Sequence, residues 1–70
     1  MGPNLRRIRH GLNPKVTLED LSGRLAARGL YLDRTALSRI ENRQRAVFDF
    51  EVITLAKALK VSISEVYGST

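Results

Sequence analysis

Glycine, proline and helix-capping residues cut the apolar residues of this chain into five short stretches, and that punctuation limits the fold more than any other feature. Leu5 and Ile8 share one side of a first helix with Arg9, with Asn4 as its cap and Gly11 as its stop. Pro14 has no amide to give a helix interior, so residues 11–15 read as a loop. Thr17 opens a second helix. Asp20, three residues on, suits a capping box, and Glu19 and Asp20 suit the positive helix end. Leu18, Leu21 and Leu25 repeat at helical spacing, Gly23 is a weak point, and Gly29 is the expected end. Leu30-Tyr31-Leu32 makes a short apolar connection.

Asp33 is the expected cap of a third helix, with Ala36, Leu37 and Ile40 facing inward. Arg34, Thr35, Ser38 and Arg39 then face outward, and Asn42 closes the helix. Residues 43–48 read as a loop. Asp49 is the expected cap of a fourth helix, whose broad stripe is Val52, Ile53, Leu55, Ala56 and Leu59. Ser62 caps a last short helix with Ile63, Val66 and Tyr67, and Gly68 ends it. Val61-Ser62-Ile63 alternates but is too short for a strand. The expected fold is all-α, five short helices in an orthogonal bundle. Helices this short cannot form the long seams of an up-down bundle. Residues 1–70 are read as a single domain.

With 70 residues and no cysteine, neither disulfides nor thiolate metal sites can support the fold, so the apolar core must. His10, alone, builds no metal site, and no metal or other cofactor is expected. Nor is an enzyme: there are no clustered acids, and Ser62 and Ser64 have no neighbouring base. No run is apolar enough for a membrane span, and residues 1–6 lack the apolar core of a signal peptide. The expected compartment is the cytoplasm.

The formal charge of +5 is uneven. Residues 1–45 carry ten Lys/Arg against four acids, whereas residues 46–70 carry Lys57 and Lys60 against Asp49, Glu51 and Glu65. A basic part suits a polyanion, and a near-neutral tail suits something else.

The segment Thr17-Leu18-Glu19-Asp20-Leu21 followed by Leu32-Asp33-Arg34-Thr35-Ala36-Leu37-Ser38-Arg39-Ile40-Glu41-Asn42 resembles the Cro/phage-repressor (XRE-like) helix-turn-helix regulators. Leu5 to Arg9 resembles their first helix, and Leu55 to Ser62 with Glu65-Val66-Tyr67 their fourth and fifth. The likeness implies double-stranded DNA as partner, a third helix in the major groove, and a homodimer on a near-palindromic operator. It implies base contacts from Arg34, Thr35, Ser38 and Arg39, and phosphate contacts from Thr17, Arg43, Gln44 and Arg45. It also implies a semi-buried ion pair between Arg9 and Glu41. An antitoxin or protein-interaction adaptor can use the same fold. No small-molecule ligand is expected, since a chain this short leaves no room for a pocket beyond the core.

Three positions depart from that pattern. Thr17 and Asp33 lie 16 positions apart, more than one helical turn beyond the compact form, which implies an extended second helix. Leu18 stands where a phosphate-contacting glutamine is common. Arg43 replaces a common glycine, so Asn42 or Arg43 is expected in the left-handed conformation. Arg6 and Arg7 are further phosphate candidates, and Arg24 and Arg28 are expected to face solvent. Phe48, Phe50, Val66 and Tyr67 are candidates for a dimer surface, with Val66 expected in the core.

Overall fold

A computed structural model describes residues 2–68. They form five α-helices, with no strand among the described residues: α1 (Gly2–Gly11), α2 (Leu18–Ala26), α3 (Arg34–Glu41), α4 (Asp49–Leu59) and α5 (Ile63–Tyr67). None is long and apolar enough to cross a membrane. α3 packs on α1 and α2, α4 on α2 and α5, and α5 closes against α1. The core at their centre is Leu5, Leu21, Leu25, Leu37, Ile40, Val52, Leu55, Leu59 and Val66, joined by Val16 and Leu32 from the connections. Each helix supplies at least one of these, so removing any one would open the core to water.

The caps explain most boundaries. The Thr17 side chain accepts from the Asp20 amide at 3.0 Å, and the Asp20 carboxylate accepts from the Thr17 amide at 3.2 Å, completing the expected box. Ser62 and Glu65 repeat it at α5. The Asp33 carboxylate accepts from the Ala36 amide at 2.8 Å, starting α3 where expected.

Four expectations are corrected. α1 begins at Gly2, so Asn4 is not its cap. Instead the Asn4 amide donates to the carbonyls of Glu65 and Val66 at the end of α5, where unpaired helix carbonyls need donors. Gly68, at φ 72, sits so close that an added Cβ would lie 3.0 Å from the Asn4 side chain. At α4 the capping residue is Phe48, not Asp49. The buried Glu51 carboxylate accepts from the Phe48 amide at 3.0 Å, which sets the helix start one residue earlier. Ile53 leaves the expected stripe and is 42% exposed, while Ala58 is buried.

The fourth correction concerns α2, which is not extended. It spans nine residues, and the chain then turns through Gly29 at φ 84. The Leu30 amide reaches back to the Leu25 carbonyl at 3.0 Å and the Gly29 amide to Ala26 at 3.0 Å, a Schellman closure. The extra length therefore lies in the connection, where Leu30 and Leu32 turn inward and Tyr31 outward. The Ser22 hydroxyl donates to the Leu32 carbonyl at 2.8 Å and pins that connection to α2.

Candidate nucleic-acid interface

α3 has an outward and an inward side. At about 100° per residue, Arg34, Ser38, Thr35 and Arg39 occupy an arc of about 140°. Ala36, Ile40, Leu37 and Glu41 occupy the opposite arc, and of these Leu37, Ile40 and Glu41 are buried. Arg34, Thr35 and Arg39 are exposed and Ser38 is half-buried. The eight residues make a rod about 12 Å long, and a helix of about 10–12 Å diameter fits a major groove about 12 Å wide.

The helix is tied to the body through Glu41. Arg9 Nε donates to Glu41 Oε2 at 2.8 Å and Arg9 Nη2 to Oε1 at 3.0 Å, a two-pronged pair buried between α1 and α3. Arg9 Nη1 donates to the Val16 carbonyl at 2.9 Å, which also anchors the loop before α2. The expected partners thus meet. Arg6 joins them, with Nε 3.3 Å from Glu41 Oε1 and Nη2 2.7 Å from Asn42 Oδ1. Such a cluster adds less to stability than its bonds suggest, because both charges were solvated before folding. Its consequence is orientation: it sets the angle at which α3 leaves the bundle.

At the end of α3, Asn42 stays near the helical region and Arg43 takes the left-handed one at φ 60. The Gln44 amide bonds the Arg39 carbonyl at 2.7 Å and the Arg43 amide bonds Ile40 at 3.1 Å. This turn places Arg43 and Gln44 on the surface directly after the helix, both exposed. Thr17 is exposed at the start of α2, where its hydroxyl accepts from the Asp20 amide and still has its proton to donate.

Two arginines are engaged in ways the chain order does not reveal. Arg34 Nη1 lies 3.5 Å from Glu19 Oε1, with both side chains largely exposed. A shallow cleft between the starts of α2 and α3 holds both residues, with Arg9, Thr17 and Leu18. The pair is weak and salt-screened, so Arg34 can exchange Glu19 for another acceptor.

Arg45 is the larger departure. Its Nη1 and Nη2 donate to Glu51 at 3.0 and 2.9 Å, and Nη1 also donates to the Ala46 carbonyl. The Arg45 hydrogen bonds hold the Glu51 carboxyl below the usual carboxylate range, helped by the Phe48 amide, although burial pushes the other way. Arg45 rises in turn through the same hydrogen bond. Its guanidinium thus anchors the start of α4 and is half-buried, whereas Arg43 and Gln44 are exposed after α3.

Arg6 and Asn42 were not singled out as a pair by sequence reasoning, since 36 residues separate them. Among the described residues, no three His, Cys, Asp or Glu side chains converge on a point that could hold a metal ion. Compared with protein-family models, curated proteins and solved structures, the chain matches none.

Proposed function

We propose that this protein is a sequence-selective double-stranded DNA-binding regulator that inserts α3 into the major groove. The observation that carries the reading is the undivided outward arc of Arg34, Thr35, Ser38 and Arg39 on a helix locked from behind by Glu41. An arginine fork can meet guanine O6 and N7 together, and Thr and Ser suit smaller base-edge contacts. Arg43 and Gln44 follow as phosphate contacts that set register. Arg39 occupies the far edge of the arc, where either a base or a phosphate lies in reach.

A homodimer is part of the proposal. Phe48 and Phe50 are about three-fifths exposed and stack with ring centroids 6.0 Å apart, at the start of α4. Aromatic pairs left in water suit an interface better than a free surface. Val66 is fully buried and takes no part, and Tyr67 is half-exposed. The same two phenylalanines favour, as the second reading, a protein-interaction adaptor of the antitoxin kind.

Selection of binding sites from a random duplex pool tests the DNA reading. The intact protein should enrich a motif, and Arg34→Ala should lose preference at one base pair, by roughly 5- to 150-fold for about 1–3 kcal/mol. Binding without sequence preference, or enrichment unchanged by Arg34→Ala, would reject α3 as the reader led by Arg34.

A further inference from the structure

On another part of the molecule, the loop after α1, the second half of α2 and the end of α4 enclose an open groove of about 740 Å³. A chain this short therefore does leave a recess beside its core. No residue of α3 lines it. Its apolar lining that reaches the surface is Leu12, Pro14 and Ala27, backed by the buried Leu59. Its charged lining is Arg24, Arg28 and Lys60, and among the described residues none that line it is acidic.

The arginines are held in place. Arg24 Nη1 donates to the Ala58 carbonyl at 3.1 Å, and Arg28 Nη2 lies 3.5 Å from the Lys57 carbonyl. Both cover the negative end of α4, where cations are favoured. Each contact uses one nitrogen of the fork, which leaves further donors on both side chains for an outside acceptor. Lys60 holds the left-handed turn at φ 58 and is exposed. Three full positive charges exceed the partial negative charge of a helix end, so the groove is electropositive.

The geometry points to this groove as a docking site for an acidic, amphipathic peptide segment of a partner protein. Carboxylates of the segment pair with Arg24, Arg28 and Lys60, and its apolar side chains cover the apolar lining. A nucleic-acid backbone would satisfy the cations but has nothing to lay on Leu12, Pro14 and Ala27. Because the Arg24 fork is already positioned by the Ala58 carbonyl, it loses little side-chain freedom on binding. The site is independent of the reading of α3.

Panning of random twelve-residue peptides displayed on phage against the intact protein tests this. The enriched peptides should combine Asp/Glu with Leu, Ile, Phe or similar residues. Synthetic copies should shift backbone amide resonances of residues 12, 27 and 59 rather than those of 34–39. The double variant Arg28→Glu/Lys60→Glu should bind them at least tenfold more weakly, while Arg34→Ala binds them normally. If the double variant loses its helical circular dichroism, Arg28→Gln/Lys60→Gln serves in its place and should still weaken binding severalfold. The proposal falls if enrichment is absent or favours basic peptides, if shifts map to α3, or if the charge variants bind unchanged. It falls equally if the groove variants instead abolish DNA binding or self-association without affecting the peptides. Duplex DNA titrated in parallel separates this outcome from any failure of the DNA reading.

Discussion

Arg43 is where the cost of a turn meets the proposed DNA contact in one side chain. Its φ of 60 puts a non-glycine residue in the left-handed region, which costs about 1–3 kcal/mol when held there. The Schellman bonds around it, from Gln44 to Arg39 and from Arg43 to Ile40, demand that conformation. Glycine would relieve the strain, whereas arginine adds an exposed charge directly after α3. Arg43→Gly is therefore expected to stabilise the fold by about 0.5–1 kcal/mol, allowing for the added freedom of the unfolded chain. It should also weaken DNA binding for all sequences alike and lower the salt slope by roughly one. Urea unfolding and DNA titrations at several salt concentrations read the two effects. A variant that gained stability and kept its full salt slope would remove Arg43 from the interface. Lys60, at φ 58, holds the equivalent place at the end of α4.

At the scale of elements, α4 depends on a carboxylate at its third position. Glu51 is buried, accepts from the Phe48 amide and is clasped by Arg45, so its pKa is lowered in the folded state. A group lowered on folding contributes stability that is complete above its unfolded pKa, about 4.3 for Glu, and is lost as pH falls through the lower folded value. Acid should therefore erode the fold from about pH 4 downward. Glu51→Gln should cost about 2 kcal/mol at pH 7, for the charged hydrogen bonds lost, and should flatten that part of the profile. Urea melts between pH 7 and pH 2.5 measure both curves, and parallel curves would show that Glu51 is not the group responsible. The other elements rest on exposed caps or on α1: Asn4 closes α5, and Arg6 with Arg9 fixes the end of α3. α1 is thus a strut for both, although it contributes only Leu5 to the fully buried core.

At the scale of the whole molecule, the extents are 29 × 27 × 19 Å. Half-sites read by paired helices are separated by about 34 Å, so each copy is small enough to occupy one half-site beside the other. Replacing Phe48 and Phe50 by alanine is expected to abolish cooperative binding to a two-half-site duplex. Affinity for a single half-site should stay within about twofold, because neither ring lies on α3. Sedimentation and titrations on one- and two-site duplexes check this. Equal losses on both would place the rings in the fold or the DNA contact rather than between copies.

Much of this molecule is legible in order along the chain because its signals are local. Thr17 with Asp20, Asp33, and Ser62 with Glu65 each act over three residues, so capping chemistry alone marks where α2, α3 and α5 start. Helical spacing likewise separates Leu37 and Ile40 from Arg34, Thr35, Ser38 and Arg39 without any partner in view. The pairing of Arg9 with Glu41 was reachable only through the family resemblance, and the structure supplies its geometry. What tertiary packing alone decided is how each polar side chain is spent. An arginine fork reaches any acceptor the fold brings near, so Arg45 goes to Glu51, Arg24 to the end of α4 and Arg6 to Asn42. Sequence distance carries no record of those meetings. The extra residues before Asp33 became a turn and an inward-packed connection rather than more helix. Gly29 accepts the left-handed turn at no steric cost, and Leu30 and Leu32 gain more by burial than α2 would by growing.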